Sequence, residues 1–234
     1  MKLRNSLLAA AAASAALTMA GAARADTVTL SQLTGVTGGT QAGTGVYKAD
    51  LSTVSVGSIL SISIADNSGG LGGATGQFSG FDLDAIKLST TDCADAACAA
   101  GAAGLSVFDF VSGTVFGAGA QRAPADAKLF GTGATGNTVD DGVATLGLFD
   151  GESTTAIPGA FGFLSMGDNG TISFNLTSAV ATAGLFMYIG EVGNNGEVAA
   201  STITVNSNRV PEPGSLALAS LALLGLGAAR RQLR

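Results

Sequence analysis

Thr171-Ile172-Ser173-Phe174-Asn175-Leu176 sets Ile, Phe and Leu on alternate positions, with hydroxyl or amide side chains between them. Successive side chains of an extended chain point to opposite faces, so this run reads as a strand with one dry and one wet face. Ser61-Ile62-Ser63-Ile64 and Thr202-Ile203-Thr204-Val205 repeat the pattern. Strands of this kind belong to antiparallel sheets that bury one side. Val28–Leu33, Val46–Val56, Phe78–Leu88, Leu105–Phe116 and Val143–Phe149 are further strand candidates. Two hairpins are expected: Phe161–Ser165 with Thr171–Leu176 around Asp168-Asn169-Gly170, and Leu185–Val192 with Glu197–Val205 around Gly193-Asn194-Asn195-Gly196. Asn and Gly tolerate the positive φ that tight turns require. No long amphipathic helix is visible. Many short strands joined by Gly-rich turns predict an all-β body, an antiparallel β-sandwich or jelly roll.

Composition narrows the chemistry. The 234 residues include 35 Gly, no His and no Trp. Without His there is no Ser-His-Asp or Cys-His pair, no HExxH zinc site and no imidazole base. The net charge of −6 lacks the clustered cations that nucleic-acid binding needs. Residues 26–210 carry sixteen acids against five bases (Lys48, Lys87, Arg122, Lys128 and Arg209), so this stretch is more acidic than the whole chain. Such charge favours solubility or divalent cations.

Both ends read as export signals. Lys2 and Arg4 precede an apolar run, Leu7–Gly21, and Ala23-Arg24-Ala25 then places small residues at the two positions a signal peptidase reads. Residues 1–25 are therefore expected to be removed, leaving Asp26 as the first mature residue. The alternative, a permanent anchor, asks for ~20 apolar residues, which this run does not reach. At the other end, Val210-Pro211-Glu212-Pro213 leads into an apolar stretch, Ser215–Ala229, and a tail containing Arg230, Arg231 and Arg234. The prolines interrupt regular structure and keep the segment extended. As a single helix the stretch would be about 22 Å long, short of the ~30 Å hydrocarbon core. The arginines would stay cytoplasmic while the body lies outside. An ordinary C-terminal anchor is the plainer alternative.

Residues 210–234 resemble the PEP-CTERM sorting signal of Gram-negative bacteria, in which Pro-Glu-Pro, one hydrophobic helix and a basic tail follow in that order. The phrases around Phe81–Leu88 and Ile189–Ala200 also look like segments from the bodies of other PEP-CTERM proteins. The resemblance implies an exosortase as partner, a membrane-embedded cysteine protease-transpeptidase that cuts near Pro211–Pro213. It further implies transient tethering in the inner membrane through residues 215–229, then release to the cell surface or an exopolysaccharide biofilm matrix. The expected organisation is a signal peptide (1–25), a glycine-rich extracellular β-domain (26–209) and the sorting signal (210–234).

Little in the body points to catalysis, and a non-enzymatic protein without a cofactor is expected. Asp82 and Asp84 fall on one face of a strand, about 7 Å apart. Calcium takes six to eight oxygens, so a site there would need Asp66 and Asn67 or Asp140 and Asp141 as well. A calcium-assisted glycan-binding module is thus the alternative function, and a solvated polar face the simpler reading. Paired carboxylates also serve glycosidases, but the aromatic platforms of sugar sites are missing. Gly131–Gly136 spells G-x-G-x-x-G without the following helix of a dinucleotide site, and reads as a flexible loop. Asn175-Leu176-Thr177 matches a glycosylation sequon inside a strand. Cys93 and Cys98 would meet an oxidising compartment and form a disulfide. Residues five apart on a regular helix point about 140° apart, so that bond competes with an Ala-rich helix over the same residues.

Overall fold

The computed structural model describes residues 24–39, 42–67, 74–151, 162–197 and 202–210. These residues contain ten strands: β1 (Ala25–Val28), β2 (Ser31–Thr37), β3 (Thr44–Asp50), β4 (Ser58–Ala65), β5 (Asp82–Ser89), β6 (Thr114–Gly117), β7 (Leu164–Ser165), β8 (Thr171–Ala181), β9 (Phe186–Val192) and β10 (Thr202–Asn206). They form two five-stranded antiparallel sheets, ordered β1-β10-β4-β8-β6 and β2-β3-β9-β5-β7. Alternation dictates what meets between them. In the first sheet Val28, Ile203, Ile64, Ile172 and Phe116 lie in one cross-strand row, and Val205, Ile62 and Phe174 in the next. In the second sheet Tyr47, Ile189 and Ile86 line up, followed by Ala49, Met187 and Leu88. All except Phe116 are buried, and they pack in one continuous core that draws on both sheets. The body is an all-β sandwich.

The connections carry a correction. Neither expected hairpin pairs with itself. β7 joins β5 in the second sheet while β8 lies in the first, and β9 and β10 are likewise divided between the sheets. Asn169 and Asn194 do adopt positive φ (63° and 52°), as tight turns require. A turn's local conformation reverses the chain; it does not choose which sheet receives the next strand. Among the described strands, β2 and β3 alone are consecutive and paired in one sheet. Setting aside the edge strands β2 and β6 leaves 1-10-4-8 facing 3-9-5-7, the interleaved winding of a jelly roll.

Other strand candidates shorten for physical reasons. Val28–Leu33 splits into β1 and β2 as the chain changes sheets, and Val46–Val56 ends in a 3-10 turn over Leu51–Thr53, where Asp50 caps the Ser52 N–H. Leu105–Phe116 contributes only β6, and Val143–Phe149 is not a strand, because a one-turn helix occupies Asp141–Ala144. Gly131–Gly136 is a closed turn, with Gly133 N donating to Thr138 O and Lys128 Nζ donating to Thr132 O. Its carbonyls face a cation, the opposite of a phosphate cradle.

The second sheet is buried on its outer face too. A short helix, α1 (Ala96–Gly101), lies there with Leu33, Val46, Ala85, Phe149 and Tyr188 in a second apolar cluster. Cys93 and Cys98 are joined by a disulfide with Cα atoms 5.5 Å apart. Bond and helix coexist because α1 starts after Cys93: Asp95 is its N-cap and accepts from Cys98 N at 2.7 Å. Lys87 donates to the carbonyls of Ala99, Ala100 and Ala102, placing a cation at the helix C-terminus. Tyr188 Oη accepts from Cys93 N (2.8 Å) and donates to Thr91 O (2.6 Å), fixing the disulfide loop to the sheet. Tyr188→Phe leaves the buried Cys93 N–H without its partner and frees the partly buried Thr91 carbonyl, so a loss of about 1–3 kcal/mol is expected in urea unfolding. A change below about 0.5 kcal/mol would contradict that role.

Candidate functional site

β1 and β10 pair antiparallel, with Ala25 opposite Asn206, so the chain enters and leaves the sandwich side by side. The expected signal-peptidase bond, Ala25–Asp26, lies at the start of β1; Ala23 lies outside the described residues. Asp26 faces a cleft of about 470 Å³ lined also by Val28, Asp50, Val54 and Ser55. Its carboxylate accepts the N–H groups of Ser55 and Val56, and the Ser55 hydrogen bonds hold its pKa below the usual range. Arg24 donates to Ser207 Oγ and accepts from Ser207 N, which ties the entering chain to the leaving one.

After β10 the chain does not run free. Residues 207–210 cross the outer, hydroxyl-rich face of the first sheet. Ser61 Oγ on β4 donates to Asn208 O at 2.7 Å, and Arg209 Nη2 donates to Thr177 O on β8 at 3.0 Å. Asn175, also on β8, grips Val210 from both sides: its Nδ2 donates to Val210 O at 3.0 Å, and its Oδ1 accepts from Val210 N at 2.7 Å. A carboxamide presents donor and acceptor side by side, as a neighbouring strand would. Asn175 is 8% exposed, and both ends of its amide are engaged. Pro211, Glu212, Pro213, Arg230, Arg231, Arg234 and the apolar stretch 215–229 lie outside the described residues. Among the described residues no helix is long and apolar enough to cross a membrane.

The carboxylates of β5 are not solvated, and the expectation of a polar outer face is corrected. Asp82 accepts from Ser165 Oγ at 2.5 Å, and Asp84 accepts from Thr44 Oγ1 and from Gly151 N at 3.0 Å. Both are buried because the 149–151 loop lies over this face and β7 beside it. A Cβ at Gly190 would come within 2.8 Å of Thr44 Cγ2 and 3.1 Å of Asp84 Cβ, so the small residue is what admits the pair. Burial pushes the Asp84 carboxyl up to about 8, against the hydrogen bond from Thr44 and reinforced by Asp150 beside it. Asp150 is raised as well, chiefly by burial, and the two carboxyls share a hydrogen bond. Burial also raises Asp82 well above its ordinary value and carries Glu197 to about 7, with Glu191 adding repulsion to both. Protonated carboxyls are poor cation ligands.

Nor do the other calcium candidates gather around them. Asp66 accepts from Asn169 N, Asn67 donates to Thr202 Oγ1, and Asp140 and Asp141 begin the one-turn helix. Among the described residues no group of three or more His, Cys, Asp or Glu side chains is placed to hold a metal ion. Asn175, Ser61 and Asp150 are the residues that sequence reading missed. The sequon at Asn175 points to a different role, and a Ser in an alternating run or an Asp before Gly carries no pattern that marks it.

Comparison with known proteins identifies the exit. Residues 209–232 match the family model described as the PEP-CTERM protein-sorting motif. This chain carries a PEP-CTERM sorting motif. The match begins at Arg209, one residue before the boundary read from Val210-Pro211, and so overlaps the segment clamped by Asn175. No curated protein and no solved structure matches the chain. A PEP-CTERM motif implies an exported protein that an exosortase recognises and processes at the membrane.

The acid pair makes a pH prediction. Below about pH 4 Asp84 is protonated in folded and unfolded chains, and its contribution is full. As pH rises from about 4 to about 8 the unfolded chain ionises first, so stability falls, then levels off above 8. Asp84→Asn keeps an acceptor for Gly151 N and a donor for Asp150 without the ionisation. Thermal melts between pH 5 and pH 8 should show a shallower decline, with Tm at pH 8 several degrees above wild type. Parallel profiles for the two proteins would contradict this.

Proposed function

We propose that the protein is a non-enzymatic, exported β-sandwich, held for a time in the inner membrane by residues 215–229 and released by an exosortase to the cell surface or exopolysaccharide matrix, where its role is structural. The observation that carries this reading is the PEP-CTERM match at residues 209–232, placed where the last strand of the body gives way to Pro-Glu-Pro. The geometry of the ends supports it. Entry and exit lie side by side on β1 and β10, so a body tethered by both signals meets the membrane at one corner and can fold before either is cut.

The roles follow the sequence. Ala23 and Ala25 serve the first cut, and Pro211, Glu212 and Pro213 form the segment an exosortase reads. Arg230, Arg231 and Arg234 hold the tail in the cytoplasm. A structural role also suits the buried acids, whose oxygens are spent on Ser165, Thr44 and Gly151 N.

Glu212→Ala, and separately deletion of residues 230–234, should leave an untrimmed, membrane-associated form in the native cells, seen by fractionation and immunoblot. Normal trimming of both variants would contradict the reading. Melts of the processed protein in millimolar calcium and in chelator should coincide, because a ligand of the folded state raises Tm. A calcium-dependent rise would favour the glycan-binding alternative.

A further inference from the structure

We propose that Asn175 is a positioning residue for sorting, a latch that keeps the residue before Pro-Glu-Pro docked on the body and so sets how fast the motif is handed to the processing enzyme. Val210 is the last residue before Pro211, and both of its backbone hydrogen-bonding groups are taken by one carboxamide. Proteases take up a substrate as an extended strand, using the backbone N–H and C=O groups beside the scissile bond. While Asn175 holds them, they are not on offer. Pro211 and Pro213 have no N–H of their own, so Val210 supplies one of the few backbone donors in this neighbourhood.

The neighbouring contacts leave no slack. Ser61 holds Asn208, and Thr177 O accepts from the Arg209 guanidinium, so each residue from 207 to 210 is tied to the sandwich. Only Pro211–Gly214 separates this docked strap from the apolar stretch that begins at Ser215. Four residues span at most ~14 Å, so an enzyme working at the membrane surface meets the body before it meets free chain. Processing then proceeds through a minor, unlatched state, and its rate follows the population of that state. Because Asn175 and Ser61 lie on adjacent strands of the finished sheet, the latch exists only once the body has folded.

The strap contains a built-in probe, since trypsin cuts after Arg209. The test uses the full chain in membranes from native cells lacking the exosortase, with release of the body at Arg209 followed by mass spectrometry. Two hydrogen bonds of ordinary net strength correspond to about a tenfold change in the open fraction. Asn175→Ala should therefore be cut about tenfold faster than wild type, with Tm changed by no more than a few degrees. In cells with the exosortase, pulse-chase trimming of Asn175→Ala should also accelerate. Unchanged trypsin cutting, or trimming at or below the wild-type rate, overturns the proposal. Ser61→Ala, which frees Asn208 alone, should move both rates in the same direction by a smaller factor, and it serves if the alanine variant at 175 does not fold. The trimming arm rests on the exosortase reading. Trimming that persists without the exosortase refutes that reading, while the trypsin arm still decides the latch.

Discussion

The pairing of β1 with β10 is the constraint from which the rest of the account follows. It places Ala25 opposite Asn206 and brings together two ends separated by the whole body. Long-range antiparallel pairing of this kind is costly to close, and the apolar rows beneath it supply the return: Val28 on Ile203, then Ile64 and Ile172. The same ladder decides where the chain leaves. β10 ends beside the entry strand, and the next four residues are drawn across the outer face of β4 and β8 rather than released into solvent.

The two faces of the sandwich divide the work. The inner face is apolar and continuous between the sheets. The outer face of the first sheet is a field of hydroxyls and amides that accommodates the C-terminal strap, while the outer face of the second sheet is sealed by α1, the disulfide and Phe149. That sealing explains why a chain so poor in charge buries several acids. Asp150 lies beside Asp84 under the loop and helps raise its pKa, and Asp82 accepts from Ser165. In a protein without His, burial brings Asp84 to about 8 and Glu197 to about 7, so carboxyls titrate near neutrality.

How much of this could be read from sequence depended on burial. β4, β8 and β10 alternate cleanly because one of their faces stays polar, and those strands were legible. β3 and β5 do not alternate, since Val46 and Tyr47, or Asp84 and Ala85, are buried on both sides of a covered sheet. Turn chemistry located the reversals at Asn169 and Asn194 but not their destinations, because sheet choice is settled by core packing far from the turn. Asp82 and Asp84 looked solvent-facing by residue type, and only the tertiary fold lays a loop over them. The sorting motif was legible for the opposite reason: it is recognised as linear sequence. Asn175 was not, because what it holds is thirty-five residues away.

The central claim is that the C-terminal segment is a removable tether. Intact-mass spectrometry of the protein recovered from the surface or matrix of its native cells tests this most directly. The account predicts a chain that begins at Asp26, ends near Pro211–Pro213 and lacks two hydrogens at Cys93 and Cys98. A mass that still includes Arg234 in the recovered protein would contradict it.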